Sequence, residues 1–149
     1  MRAVVQRVSQ ARVEMQGNKV SEIAHGLLVY LGVAKADTER DAEFMADKLV
    51  NLRIFEDEAG KMNRSLLDVG GQMLLVSNFT VQGDCRKGRR PGFDAAAAPP
   101  MAERLYETAA DLVVERGVTV HTGVFGQYTH ISSVNDGPVN FLLDSTRLF

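Results

Sequence analysis

The spacing of apolar residues along the chain changes several times between the period of a strand and that of a helix. The opening run is roughly alternating with a bend near Ser9, whereas residues 26–33 are almost wholly apolar, as in a strand buried on both faces. Strands are predicted at residues 4–13, 19–24, 26–33, 72–80, 118–124, 129–135 and 139–143, with a short hairpin at residues 53–63.

Two helices are predicted between these strands. The first begins at Asp37-Thr38, because either side chain can cap a helix, and its apolar residues recur every three or four positions. Those residues are Ala42, Met45, Leu49 and Leu52. The second helix begins at Pro99-Pro100, carries a similar apolar stripe and ends at Gly117, a residue type that favours a helix C-terminus.

The order of these elements predicts an α/β fold. Three strands, a helix, a hairpin and a strand, a second helix and three strands follow one another without a repeated βαβ unit. Such an order is typical of two β layers with helices covering one face. Because neither side of Pro99-Pro100 could form a core alone, we expect residues 1–149 to fold as one domain.

The composition is that of a globular chain. Of the 149 residues, 45% are hydrophobic and 24% are charged. No window approaches the roughly 18 consecutive apolar residues of a membrane span. The N-terminus lacks the apolar segment of a signal peptide, and the single cysteine, Cys85, excludes an internal disulfide. We therefore expect a cytoplasmic protein with no membrane partner.

The sequence shows no pattern for a metal or a nucleotide cofactor. His25, His121 and His130 are far apart and in no ligand spacing, and one cysteine cannot form a zinc site alone. Neither of the common glycine-rich phosphate-binding patterns occurs. We expect no metal and no cofactor.

A basic segment interrupts the second half of the chain. Arg86-Lys87-Gly88-Arg89-Arg90 places four cations in five residues. The net charge is −2, from 17 basic and 19 acidic residues, so nucleic acid would have to bind through such a local patch. Most charge runs are solvated loops. The alternative is that this loop contacts phosphates, which suit the forked guanidinium group of arginine.

Polar side chains end the apolar strand that precedes this loop. They lie in the segment Ser77-Asn78-Phe79-Thr80. At an ordinary strand end they would satisfy backbone groups, whereas at a functional edge they would face a cleft. Nucleophilic catalysis by Ser77 or Thr80 needs a general base within hydrogen-bond reach, and the sequence lacks a nucleophile-elbow pattern.

A Gly-Pro pair separates the last two predicted strands, within Asn135-Asp136-Gly137-Pro138. All four residue types favour a tight turn. About 5–6% of X-Pro bonds in folded proteins are cis. A cis bond here would direct the carbonyl groups of Gly137 and Pro138 the same way and form a binding surface from the main chain.

Taken together, these segments resemble the D-aminoacyl-tRNA deacylase family. The shared motifs are Ser77-Asn78-Phe79-Thr80, Gly83-Asp84, Arg86-Lys87-Gly88-Arg89-Arg90-Pro91 and Val134-Asn135-Asp136-Gly137-Pro138-Val139. Similar segments at residues 1–8, 26–33, 53–55 and 60–63 extend the resemblance over the chain, in order. Two residues depart from the family pattern: Asn78 replaces a glutamine and Asn140 replaces a threonine.

The resemblance implies a homodimer with a three-layer β/β/α sandwich fold. In the family, the Gly137-Pro138 bond is cis and enters the active site of the other subunit, where it rejects L-aminoacyl groups. The implied reaction hydrolyses the ester between a D-amino acid and the 3′ end of tRNA, which is a chiral proofreading activity. Glycine on mischarged tRNA is expected to be accepted as well, because it has no side chain to reject.

The motifs also imply roles for individual residues. The expected catalytic segment is Ser77, Asn78, Phe79 and Thr80, and the expected substrate-binding residues are Asn135, Gly137 and Pro138. Contacts to tRNA are expected from Arg86, Lys87, Arg89 and Arg90. We expect the backbone N–H groups of Phe79 and Thr80 to stabilise the oxyanion.

Two other functions are open for this sequence. In a non-catalytic RNA-binding dimer of the same fold, Asn78 and Asn140 would mark lost activity. A hydrolase of small esters would instead use Ser77 or Thr80 as its nucleophile. Within the deacylase hypothesis, attack by water assisted by the ribose 2′-OH ranks above Thr80, because no base partner for Thr80 is visible.

Overall fold

The computed structural model describes residues 1–148, which form eight strands, three α-helices and one 3-10 helix. The strands are β1 (Arg2–Met15), β2 (Asn18–Ile23), β3 (Gly26–Gly32), β4 (Phe55–Glu56), β5 (Met62–Arg64), β6 (Gln72–Ser77), β7 (Thr119–Thr122) and β8 (His130–Asp144). The helices are α1 (Glu39–Asn51), α2 (Leu66–Val69), α3 (Pro99–Glu115) and the 3-10 helix (Phe79–Gln82). None of these helices is long and apolar enough to cross a membrane.

The long strand β1 connects the parts of the main sheet. Its residues 2–8 pair antiparallel with β3, and its residues 11–15 pair antiparallel with β2. On its other edge, β8 runs antiparallel to β1 over nearly the whole length of both strands. Beyond β3 the strands β6 and β7 are parallel to it, so the sheet order is β2-β1-β3-β6-β7.

Helices α1 and α3 cover one face of the sheet. Their buried side chains are Ala42, Met45, Ala46, Leu49, Val50, Leu105, Tyr106, Ala109 and Val113. These side chains form one hydrophobic core with alternate residues of the central strands, such as Leu27 and Leu31 of β3. The helical spacing in the sequence therefore predicts the buried faces of both helices correctly.

A second β layer covers the opposite face of the central strands. There, Leu28 of β3 and Leu74 of β6 form a separate core with Val13 and Ile23. Val13 lies in the end of β1 and Ile23 in β2, so these two segments fold back across the sheet. The bent sheet forms two layers and the helices form a third, which confirms the predicted β/β/α arrangement.

The last two predicted strands are one strand, β8. Both predicted strands pair with β1. Gln6 and Val8 of β1 are two residues apart, whereas their partners in β8, Asn140 and Asn135, are five residues apart. The surplus residues of β8 form a bulge, and pairing with β1 resumes on both sides of it. The Gly-Pro pair therefore lies in the middle of a strand and not in a turn between two strands.

Two further elements differ from the prediction. The strand β6 ends at Ser77 and not at residue 80, because the chain turns into the 3-10 helix. The short helix α2 is not predicted by apolar spacing, since four residues carry no helical period. It is defined by its cap, where the Ser65 hydroxyl accepts a hydrogen bond from Asp68 N–H at 3.1 Å.

Candidate functional site

A cavity of about 680 Å³ opens at one edge of the main sheet, and this volume is typical of a small-molecule site. The parallel strands β3, β6 and β7 all end at this edge, where ligands commonly bind in α/β sheets. Its lining comes from the ends of β3 and β6, including Leu31 and Ser77, from Phe79 and Phe93, from the start of α3, and from the loop residues 125–129 after β7.

Asn78 fixes the backbone beside this cavity. Its N–H donates to Leu31 O at 2.9 Å, which extends the contact between β6 and β3 by one residue. Its side-chain Oδ1 accepts hydrogen bonds from Thr80 N–H at 3.0 Å and from the Thr80 hydroxyl at 2.5 Å. The asparagine thus caps the 3-10 helix in the way that asparagine caps α-helices.

These contacts decide which polar groups are free. Because Thr80 N–H is bonded to Asn78, the structure does not support the prediction that it helps to form an oxyanion hole. Among residues 1–148, the N–H of Phe79 makes no hydrogen bond. The Thr80 hydroxyl donates to an amide oxygen and not to a base, so Thr80 is not an activated nucleophile here.

Gly32 and Gln82, neither of which is predicted from the sequence, hold the 3-10 helix against the end of β3. A Cβ on Gly32 would lie 2.3 Å from Val81 Cγ2 and 2.7 Å from Asn78 O, so only glycine allows this approach. The Gln82 side chain is 3% exposed and donates from Nε2 to Gly32 O at 2.8 Å. The only signal in the sequence is a glutamine two residues after the predicted apolar strand, which does not distinguish a buried partner from a surface residue.

Gly137 and Pro138 are the centre of the β8 bulge. Their peptide bond is cis, and Gly137 has a φ of +134°. The nearly buried Arg7 holds the residue before them, because its Nε donates to Asp136 O at 3.1 Å and lies 3.2 Å from Asp136 Oδ2. The same guanidinium donates from Nη1 to Ile54 O at 2.8 Å. Arg7 therefore ties the bulge to the segment that leads into β4.

Asn135 holds the base of the bulge. Its Nδ2 donates to Arg7 O at 2.9 Å and to Val139 O at 3.2 Å. Its Oδ1 accepts a hydrogen bond from Asn140 Nδ2 at 3.0 Å. The structure thus gives Asn135, which is predicted to bind substrate, contacts that position Gly137 and Pro138.

The two parts of the predicted site do not meet within one chain. Ser77 pairs with Leu31 at one end of β3, whereas Asn135 faces Val8, which pairs with Gly26 at the other end. Five residues of a strand at about 3.3 Å each separate these ends by roughly 17 Å. No residue of the bulge lines the cavity within residues 1–148.

The basic segment is an exposed loop closed by two hydrogen bonds between Asp84 and Gly92, at 2.7 and 2.9 Å. Arg86 folds back on Asp84, with Nη2 at 2.6 Å from Oδ2 and Nε at 2.9 Å from Oδ1. These side-chain hydrogen bonds, with one from Arg86 N–H, hold the pKa of Asp84 well below its usual value. The other cations of the loop, Lys87, Arg89 and Arg90, make no ion pair within residues 1–148.

The structure shows no metal centre in the described part of the chain. No group of three or more histidine, cysteine or acidic side chains there is placed to hold an ion. His25 packs on the ring of Phe55 at 5.1 Å, and His130 packs on the ring of Tyr128 at 5.4 Å. These two imidazoles therefore have aromatic neighbours.

Comparison with known proteins gives one consistent family. A model of the D-Tyr-tRNA(Tyr) deacylase family matches residues 4–144. A D-aminoacyl-tRNA deacylase of Thermus aquaticus is 56% identical over 147 residues, which cover 99% of this chain and 97% of the relative.

Two solved structures resemble the whole chain. One is named c-Myc DNA unwinding element binding protein and has 39% identity and a TM-score of 0.92, over 97% of this chain and 98% of its own. The other is a probable eukaryotic D-amino acid tRNA deacylase with 19% identity and a TM-score of 0.83, over 95% of this chain and 97% of its own.

The chain belongs to the D-Tyr-tRNA(Tyr) deacylase family, because the family model and the relatives both span almost its full length. It is an enzyme of the ester hydrolase class to which D-aminoacyl-tRNA deacylases belong. The resemblance that the sequence motifs suggest is confirmed, and so is the mixed α/β fold.

Gly32 packs so closely against Val81 and Asn78 that adding one carbon atom should displace the 3-10 helix. In Gly32→Ala, the new Cβ pushes Asn78 and Val81 away from β3, so the free N–H of Phe79 moves relative to the cavity. A displacement of about 1 Å in a site costs on the order of 100-fold in rate, and we expect a loss of that size in the release of D-tyrosine from D-tyrosyl-tRNA.

The matched control is Gly123→Ala, whose Cβ would meet Val13 at an ordinary 3.7 Å. We expect this variant to keep its activity. Thermal unfolding of both variants separates lost activity from lost fold. Wild-type kcat/KM in a folded Gly32→Ala protein would show that the close packing of Gly32 against the 3-10 helix does not matter for activity.

Proposed function

We propose that this chain hydrolyses the ester bond between a D-amino acid and the 3′ end of tRNA, as one domain over residues 1–149 in the cytoplasm. The observation that carries the proposal is the cavity of about 680 Å³ lined by Phe79, whose N–H is a free main-chain donor. Relatives named D-aminoacyl-tRNA deacylase support this substrate class.

The proposed chemistry needs little help from side chains, because an aminoacyl ester is already activated. Water attacks the carbonyl carbon, and the N–H of Phe79 stabilises the negative charge that develops on the carbonyl oxygen. The bond to the ribose 3′ oxygen then breaks, that oxygen takes a proton, and the amino acid leaves as a free acid. The ribose 2′-OH assists the attack, since the hydroxyl of Thr80 is bonded to Asn78.

A second copy of the chain completes this proposed site. The separation of roughly 17 Å along β3 supports an arrangement in which Gly137 and Pro138 enter the cavity of another subunit. Arg7 and Asn135 hold the bulge from both of its ends, which suits an element that must keep its shape in a partner's site. The proposed assembly is therefore a homodimer with two shared sites.

The bulge acts as the proposed chiral filter. The carbonyl oxygens of Gly137 and Pro138 hold the α-ammonium group of the substrate. An L side chain would then collide with the main chain, whereas a D side chain points into open space, so the selection works by exclusion. Glycine has no side chain to exclude, and we propose that glycyl-tRNA is also a substrate.

The basic loop supplies the proposed contact with the tRNA backbone. Lys87, Arg89 and Arg90 are exposed and free of ion pairs within the described residues, so they are the loop cations available to phosphates. Arg86 is held by Asp84 and contributes less charge. Phe93, three residues beyond Arg90, lines the cavity, so this loop and the reaction site are continuous along the chain.

A second candidate function is nucleic-acid binding without catalysis. It is favoured by the exposed basic loop and by the name of the solved structure that is 39% identical, which describes a DNA-binding protein. The hydrolase of small esters has less support, since neither hydroxyl of Ser77 and Thr80 is hydrogen-bonded to a base in the described chain.

The experiment that tests the proposed function measures release of amino acid from D-tyrosyl-, L-tyrosyl- and glycyl-tRNA by the purified protein. We expect D-tyrosine and glycine to be released and L-tyrosine to stay bound to tRNA. Tight binding of tRNA with no release from any of the three would favour the non-catalytic alternative. Equal release of D- and L-tyrosine would contradict the filter.

A second test isolates the N–H of Phe79. Phe79 is the first residue of the 3-10 helix, and Asn78 before it is extended, with φ −146° and ψ 99°. Proline is tolerated at such a position, so Phe79→Pro removes the donor with little change in the backbone. Phe79→Ala is the control, since it removes the ring and keeps the N–H.

We expect kcat for D-tyrosyl-tRNA to be about 100-fold lower in Phe79→Pro than in Phe79→Ala, which is the usual cost of losing one oxyanion donor. Both variants are to be compared at saturating substrate, so that any loss of binding through the missing ring cancels. Equal kcat values in two folded variants would rule out Phe79 N–H as the donor.

A further inference from the structure

The large apolar side chain with the greatest exposure in the described chain is Tyr128, at 83%. Tyrosine is enriched at binding interfaces, because its ring is apolar and its hydroxyl can stay in contact with water. Tyr128 lies in the loop that follows β7, and it lines the same cavity as Phe79 and Ser77. The proposed reaction gives this ring no role, because the reacting ester lies at the N–H of Phe79.

The loop that carries Tyr128 is anchored on both sides. The ring of Phe125 packs on the buried Tyr106 with centroids 6.0 Å apart. The imidazole of His130 meets the Tyr128 ring at 5.4 Å and almost at a right angle, 87°. One side of the Tyr128 ring is thus held by a neighbour, and most of the remaining surface is open to a ligand.

The substrate has one chemical group that fits such a ring. The 3′ end of tRNA is single-stranded, so when the terminal nucleoside enters the cavity the preceding base is unpaired at its mouth. Exposed aromatic rings bind single-stranded nucleic acid by stacking on bases, and they do so with little sequence preference. A tyrosine is suited to this contact because its ring is large and loses little conformational freedom.

We propose that Tyr128 stacks on the penultimate base of the tRNA 3′ end and so holds the acceptor strand while the terminal aminoacyl-adenosine occupies the cavity. This inference rests on the proposed function, since it deepens the substrate recognition of the same site. Tyr128 is then a binding residue for the nucleotide next to the reacting one. The basic loop contacts phosphates, and Tyr128 contacts a base.

The test uses two small substrates that differ by one nucleotide, D-tyrosyl-adenosine and D-tyrosyl-CpA, each esterified at the 3′ end. For the wild-type chain, we expect KM to be lower for D-tyrosyl-CpA. In Tyr128→Ala, we expect KM for D-tyrosyl-CpA to rise on the order of tenfold, with kcat unchanged and no effect on D-tyrosyl-adenosine. Tyr128→Phe keeps the ring and should behave as wild type.

Val124→Ala is the matched control, because Val124 is also an exposed apolar residue close to this loop but does not line the cavity. An equal rise in KM for both substrates in Tyr128→Ala would overturn the inference, since Tyr128 would then act on the terminal nucleoside or on the loop itself. Unchanged KM for both would overturn it too, as would a Tyr128→Ala chain that changes only its oligomeric state. Failure of the proposed function would look different, because the wild-type chain would then release nothing from either substrate.

Discussion

The pairing of one long strand, β1, with three other strands is the constraint on which the rest of this structure depends. Residues 2–8 of β1 belong to the layer under the helices, and residues 11–15 belong to the layer that closes the second core. The strand β8 pairs with β1 through both layers. Opposite Arg7, β8 has more residues than β1 between consecutive pairs, and these surplus residues form the bulge in β8. The same strand thus determines the fold and the position of Gly137-Pro138.

This geometry places the cavity and the Gly137-Pro138 bulge at opposite ends of β3, and the proposed site therefore combines elements of two subunits. One end offers a cavity with a main-chain donor at Phe79, and the other offers a firmly held bulge. The proposed selection by exclusion needs no pocket that fits one side chain, so it predicts that D-amino acids with different side chains are accepted. The proposed catalysis by main-chain groups is likewise compatible with Asn78 in place of the family's glutamine, because the side-chain contacts of Asn78 are to the 3-10 helix.

Much of the fold could be predicted from the sequence, because apolar spacing reports directly on burial. The stripes in α1 and α3 and the apolar run of β3 all face hydrophobic cores. The continuity of β8 could not be predicted in this way, since Gly137 and Pro138 are turn formers and only the pairing with β1 shows that the strand resumes. The helix α2 was missed because its cap, and not its spacing, defines it.

The candidate site was predictable only in part. The motif around Ser77 lies where the cavity opens, but the contact of Asn78 with Thr80 is one that no spacing rule reveals. Gly32 and Gln82 were missed because their importance lies in an approach between two segments fifty residues apart in the chain. Arg7 was missed for the same reason, since a basic residue in an alternating strand is ordinarily solvated.

Subunit mixing tests the central claim, a site shared between two subunits, most directly. Phe79→Pro removes the donor from one type of subunit, and deletion of Gly137 and Pro138 removes the carbonyls from the other. Heterodimers purified through two different tags would contain one intact site of two, and we expect roughly half of the wild-type release of D-tyrosine from D-tyrosyl-tRNA. Heterodimers as inactive as either parent variant would show that both elements must act within the same chain, which would contradict this account.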